Sequence, residues 1–443
     1  MDQMRAAAIS ADDKLAELIA GAALITALLC GGGSRGVGDA IVSFVSVPVL
    51  FLACRRCVWA AASLQQRSAM ALLAAALAWH VLQLIPLPAG WIHVLPMRAE
   101  MLTDLRTAGM EPCCLRATMD LWGTVRSLVA LMTFGGYFVL FCTLANDSRL
   151  RLLKLLVVAG CAMALLGYAQ AAAGQNSQLR LYGHHHATGA LGTFANRNHF
   201  ASLMAMLVPV ALSLAACGSR GRRQENALWS AAALVLLLGA CLTFSRTGFI
   251  LACASGITGL VMISLRRERA FVGVALLMLA TVGMVSIYAW GELSRRLQQD
   301  PLTDLRWQYL RYGWKAATSY FPLGSGPGSF RSVYAAIEPI EKMGGTYALH
   351  AHNDFLEIAI ESGLPGVMLV LAAIGLLARA VRNKLIVGDG LSPIPFGSMI
   401  AVTVPVLHSL VDYPLRTYAV SATCALVSSI VLSRACRVTH RRG

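Results

Sequence analysis

Unbroken apolar stretches of about 17 to 25 residues recur along this chain, separated by short polar clusters. Each stretch is long enough to cross roughly 30 Å of hydrocarbon as a helix, with its backbone polar groups satisfied internally. Twelve can be read, at 14–30, 37–54, 69–87, 124–145, 151–173, 197–217, 227–244, 248–265, 270–290, 365–382, 395–412 and 417–434. The pattern predicts an all-α polytopic membrane protein of about 12 transmembrane helices, forming one integral membrane domain over residues 1–443. Two polar interruptions are longer than the others: an outer loop at 88–123, and a large, partly helical loop at 291–364 between the ninth and tenth spans. The second holds "LRWQYLRYGWKAATSYF", a helical pattern with aromatic residues at intervals, and then the Gly/Pro turn "PLGSGPGSF". A loop of that length is commonly functional or disordered, and its aromatic residues argue that it is folded.

Composition agrees with the pattern. The 443 residues are 57% hydrophobic and 13% charged, whereas soluble domains carry about a quarter charged residues. The first apolar run follows Asp12, Asp13 and Glu17 and lacks a convincing cleavage site, so it is expected to remain as a span. Basic residues concentrate in alternate connections, among them Arg55 and Arg56, Arg149 and Arg151, Arg266 and Arg267, Arg379 and Arg382, and Arg434 and Arg437. The positive-inside rule puts these connections and both termini in the cytoplasm and the two long loops outside. Orientation and contact with anionic lipid headgroups account for the net charge of +15, so no nucleic-acid partner is expected. The 12 cysteines lie mostly within spans, where Cys acts as a small apolar residue. Cys54 and Cys57 form a CxxC, but with arginines between them and no second pair it does not predict a metal site.

Polar clusters at the expected outer face are the candidates for chemistry. "GTFANRNHFA" places Asn196, Arg197, Asn198 and His199 at the start of the sixth span, and "LTFSRTGF" leaves Ser245, Arg246 and Thr247 in a tight turn. Arg306 and Arg311 lie in the long loop, "HAHNDFLEIAIESGLPG" contains His350, His352, Asn353 and Asp354, and "LHSLVDYPLR" carries His408, Asp412 and Arg416. In that last stretch the i,i+4 spacing brings the three together if the helix persists.

Each cluster has a plainer reading. An arginine at a helix end often snorkels to the interface. His199 beside two asparagines fits the start of a helix, and His408 fits a hydrogen-bonded core position. His184, His185 and His186 read as loop composition. Asn353 or Asp354 fits a helix N-cap, which explains the asparagine and aspartate but not the histidines. Taken together, however, several guanidinium groups at headgroup depth suit a phosphate-bearing lipid substrate, which they can grip bidentately without losing charge. A neutral histidine beside them can take a proton from an incoming hydroxyl. Charge developing on a departing diphosphate would be held by the arginines. This chemistry requires neither a divalent metal nor a cofactor.

The order of these motifs resembles the O-antigen ligase and Wzy-type polymerase superfamily of bacterial polysaccharide assembly. The closest match is His-Asn, nine residues, Gly, two residues, Gly, here His352, Asn353, Gly363 and Gly366. "GTFANRNHFA", "LTFSRTG", "RWQ" with "PLGSGPGSF", and "HSLVDYPLR" follow in the expected order, so that most of residues 190–420 take part. The resemblance implies a GT-C-like, metal-independent, inverting glycosyltransferase in the bacterial inner membrane. It would act at the periplasmic face on a glycan linked to undecaprenyl diphosphate. By position, His352 would activate the acceptor hydroxyl, and Arg246 with Arg306 would bind the diphosphate. Arg311 is the second choice for the loop arginine. His350, Asn353, Arg197, Asn198 and Arg416 would support substrate binding.

The donor is common to the superfamily. A ligase passes the glycan to lipid A core and a polymerase passes it to another repeat unit, and the ligase reading is favoured here. A third branch glycosylates protein. From a different class, a 12-span transporter would have ionisable or broken segments near the midplane, with a path crossing both leaflets.

Overall fold

The computed structural model describes residues 2–33, 36–57, 59, 62–182, 189–217, 223–264, 273, 275–280, 282–283, 305–342, 347–386 and 392–434. The histidines at 184–186, most of the expected ninth span and the first part of the long loop lie outside them.

The described chain is helical. Among the described residues seven helices are long and apolar enough to cross a membrane: α2 (Val37–Arg56), α3 (Leu64–Leu84), α6 (Leu121–Thr143), α7 (Asn146–Ala172), α8 (Arg197–Cys217), α9 (Arg223–Cys241) and α13 (Asp354–Ile386). The long α1 (Asp2–Cys30) precedes them. The apolar helices α10 (Arg246–Ser264), α14 (Pro393–His408) and α15 (Tyr418–Val431) are shorter or less continuous. Helix α8 is apolar on every side, which marks a helix surrounded by others. It packs against α7, α9, α10 and α14, and 89% of its apolar window is buried. Helices α8 and α10 run side by side in the same direction. Near their starts Gly248 lets Ala201 approach too closely for any Cβ at 248, and lower down the Ser255 hydroxyl donates to the Ala205 carbonyl at 3.0 Å.

The first long loop contains α4 (Ala89–Ile92) and α5 (Arg98–Thr107) and a small antiparallel pair, β1 (Pro86–Pro88) with β2 (Cys114–Arg116), which aligns Leu87 with Leu115. This sheet is an addition to the all-helical expectation. The second loop holds α11 (Leu305–Ser319) and α12 (Phe330–Ile337). It has its own core of Ala316, Tyr320, Phe330, Val333, Tyr334, Leu356 and Ile360, apart from the main bundle core. The aromatic spacing in the sequence reflects this second core.

The two loops are pinned together by Arg98, which is only 1% exposed. Its Nε donates to the Ala117 carbonyl at 3.0 Å and its guanidinium also reaches the carbonyls of Pro96 at 3.0 Å and Gly324 at 2.8 Å. The ring of Tyr320 lies against it. Burial lowers the Arg98 pKa to about 10, so it keeps its proton at neutral pH. The Met119 amide donates to the Ser325 carbonyl at 2.7 Å and reinforces the join.

Helix α13 is two helices in series. Gly363, at φ 57°, ends the first after Ser362 and turns the chain into the long apolar half. A side chain there would be strained at that φ and would strike the Pro322 carbonyl. The turn is held by the "PLGSGPGSF" segment, with the Leu364 amide on the Pro322 carbonyl at 2.8 Å and the Ser325 amide on the Ile360 carbonyl at 2.9 Å.

Helix α14 ends at His408, four residues short of the expected limit of 412. The following turn is stopped from continuing as helix by Pro414, which disfavours helical geometry at the residue before it. The expected i,i+4 relation holds between His408 and Asp412, whose amide donates to the His408 carbonyl at 3.0 Å, but is lost between Asp412 and Arg416, and the three side chains have different partners.

Candidate active site

Asp412 is the hub of the polar cluster and is fully buried. Asn198 donates to its Oδ2 at 2.6 Å and the Tyr413 amide donates to its Oδ1 at 3.0 Å. His352 Nδ1 lies 3.3 Å from Oδ1, His199 Nε2 lies 3.4 Å from it, and an Arg306 nitrogen lies 3.8 Å from Oδ2. Burial by itself would oppose ionisation. Hydrogen bonding to, and the charge of, His199 and His352 outweigh it and hold the carboxyl well below the usual carboxylate range.

Local sequence explains how each element delivers its residue. Asn196 caps α8, its Oδ1 accepting from the Asn198 amide at 2.8 Å. That cap sets the first turn so that Asn198 and His199 both reach Asp412, while Arg197 is half-buried at the first helical position. Ser245 caps α10 in the same way, accepting from the Gly248 amide at 3.2 Å, and leaves Arg246 exposed at the first position. Because α8 and α10 run in parallel, both N-terminal ends, with their partial positive charge and unsatisfied amide groups, lie at this end of the bundle. Such ends favour anions.

In α11, Arg306, Tyr309, Gly313 and Ala316 recur at helical spacing and form one face. Arg306 meets Asp412, the Tyr309 ring stacks on His352 with centroids 5.8 Å apart, and Gly313 packs on Leu356 and Ile360 of the first half of α13. Arg311, on a different face, lies over the ring of Tyr312 with its guanidinium carbon 6.0 Å from the centroid. Of the two loop arginines, Arg306 is the one beside His352 and Asp412.

His352 adopts a left-handed conformation with φ 50°, uncommon for a residue with a side chain and a kind of strain that collects at functional sites. Its ring stacks on Tyr309 and meets Tyr413 edge-on, with centroids 5.0 Å apart. Nδ1 is buried and faces Asp412 Oδ1 at 3.3 Å. The 27% exposure of the side chain therefore belongs to its other atoms.

The remaining candidates brace this arrangement. Asn353 caps the first half of α13, accepting from the Leu356 amide at 3.0 Å and donating to the Leu410 carbonyl at 3.0 Å. His350 Nδ1 lies 2.8 Å from Glu357, whose second oxygen accepts from the Ala351 amide at 2.7 Å. Arg416 contacts Asp354 at 3.0 Å, Glu357 at 3.1 Å and Glu361 at 3.3 Å, so its charge is engaged by three carboxylates. Burial would weaken that charge. Glu357, Glu361 and Asp354 outweigh it and raise the guanidinium above its usual value. Expected as a substrate ligand, Arg416 here ties α13 to the turn after α14. His408 is buried against Ser202.

The spacing of the His-Asn, Gly, Gly motif thus has a mechanical meaning. His352 points into the site, Asn353 starts a nine-residue helix, and Gly363 ends it. Tyr413 adds to the candidates drawn from the sequence, and Asp412, named there only beside His408 and Arg416, proves to be the hub of the cluster. Tyr413 packs on His199, His350 and His352 together, and burial raises its phenol above the ordinary range. For Asp412 the available signal was a carboxylate in "LHSLVDYPLR", between His408 and Arg416.

None of the curated proteins compared matches the chain. Residues 231–371, which include Arg246, Arg306, His352, Asn353, Gly363 and Gly366, match the family model Wzy_C, described as O-antigen ligase, a match that supports the resemblance to the O-antigen ligase and Wzy-type superfamily.

Proposed function

We propose that this protein is a membrane glycosyltransferase of the O-antigen ligase type. It moves a glycan from undecaprenyl diphosphate to a hydroxyl of lipid A core at the periplasmic face of the bacterial inner membrane. The observation that carries the reading is His352 itself, held in a strained conformation with Nδ1 against buried Asp412, the rest of its side chain partly exposed and Arg306 alongside. A proton on Nδ1 faces the carboxylate, which leaves the lone pair of Nε2 to receive the proton of the acceptor hydroxyl.

The acceptor oxygen then forms a bond to the anomeric carbon as the bond from that carbon to the diphosphate oxygen breaks. Undecaprenyl diphosphate leaves, and Arg246 and Arg306 hold its charge together with the N-terminal ends of α8 and α10. Asp412 stabilises the imidazolium formed on His352, with Asn198 and the Tyr413 amide keeping the carboxylate in place. In-line attack opposite the leaving group inverts the anomeric centre, and none of these steps draws on a metal. The polar groups collect at one end of the bundle, an arrangement that supports transfer at a surface over transport along a path.

The test is deletion of the gene followed by analysis of lipopolysaccharide and secreted polysaccharide. Loss of glycan-capped lipopolysaccharide is expected. Accumulation of single-repeat product instead would assign the chain to polymerisation, and unchanged surface glycan would overturn the reading.

A further inference from the structure

At the opposite end of the bundle from His352, α3 begins, α13 ends and α15 ends around a cavity of about 320 Å³. The Ser63 hydroxyl donates to the Leu432 carbonyl and ties the first and last of these ends together. The 21 residues of α3 place this end about 30 Å from Gln83, which contacts the second long loop through the Leu323 carbonyl.

Among the described residues three cations line the cavity, Arg379 and Lys384 from α13 and Arg434 after the end of α15, and no acidic residue does. Lys384 is 5% exposed, whereas both arginines are exposed. Gln65, Ser68 and Asn383 add neutral hydrogen-bonding groups, and the start of α3 adds its partial positive charge. Leu376 continues the lining towards the apolar part of α13, whose surface is otherwise largely exposed.

The geometry points to a binding site for the phosphate headgroup of an anionic membrane lipid in this recess, with its acyl chains along α13 and α3. Guanidinium groups match phosphate oxygens bidentately, an ammonium adds a point charge, and the apolar wall beside them suits a lipid rather than a soluble anion. Basic recesses between membrane helices favour such headgroups. The site is a full helix length from His352 and is independent of the transfer reaction.

The experiment is native mass spectrometry of the full-length protein, purified in detergent, stripped of lipid and offered phosphatidylglycerol or phosphatidylcholine. Wild type is expected to retain phosphatidylglycerol about tenfold better, and Arg379→Gln with Arg434→Gln should remove most of that preference. Both arginines are exposed, so the double variant should fold. Arg382→Gln, exposed on the same helix but outside the lining, should keep the preference. Displacement of the lipid by millimolar inorganic phosphate would assign the same cationic site to phosphate from either source. Equal retention of the two lipids by wild type, an unaltered preference in the double variant, or an equal loss in Arg382→Gln would overturn the proposal.

Discussion

His352 and Asp412 act as a pair, and each predicts a different defect. His352→Ala removes the proton acceptor, and glycan transfer should fall by roughly 10²- to 10⁴-fold with protein abundance unchanged. A surface-polysaccharide gel of wild-type intensity would remove His352 from this role. Asp412→Asn keeps the shape but loses the charge that orders the imidazole, a change that costs on the order of 10⁴ in a comparable carboxylate–histidine pair. The native Asp412 carboxyl titrates well below the usual range and stays ionised wherever transfer is assayed. Transfer at the wild-type rate in this variant would limit Asp412 to packing. Arg246→Lys replaces a planar fork with a point charge and should cost about 1.5–3 kcal/mol of transition-state stabilisation, or ~10- to 160-fold in rate. Full activity in that variant would make fork geometry irrelevant.

Among the elements, the first half of α13 controls where the base sits. Asn353→Ala removes the cap and should destabilise this helix by about 0.5–2 kcal/mol. Because the cap adjoins His352, transfer should fall while thermal stability of the whole protein changes little. Unchanged transfer would show that the cap does not position the base. These elements also mark how far the sequence could be read. The apolar runs at 197–217 and 365–382 are found in α8 and in the second half of α13, because hydrocarbon length constrains both pattern and structure. The end of the 395–412 run was not legible. Leu407, Leu410 and Val411 are exposed apolar residues that prolong a hydropathy pattern after hydrogen bonding has turned the chain. The i,i+4 reading of Asp412 and Arg416 failed for that reason. His352 and Arg306 were drawn out as candidates by motif order and Asp412 by its place beside His408 and Arg416, but the position of Asp412 against α8 and α11 is set by long-range packing, which no local pattern encodes. The β1–β2 pair gave no signal, since three residues with proline at both ends of one strand are too short to form a period.

For the molecule as a whole, Arg98 joins the first long loop to the turn that holds Gly363. Arg98→Met should leave the Ala117, Pro96 and Gly324 carbonyls short of a donor, each costing about 1–3 kcal/mol where it stays buried. Proteolysis of the two long loops should then become faster together, and cleavage confined to the first would show that they are not coupled. The break at Gly363 has a consequence for life in a real bilayer. The long apolar rod and the short helix that aims the imidazole meet at a break clamped by the Pro322 carbonyl, so the direction of the short helix is set by the loop packed against it and not by continuation of the rod's axis. Whatever angle a bilayer of given thickness imposes on the rod is thereby not written directly into the aim of the base.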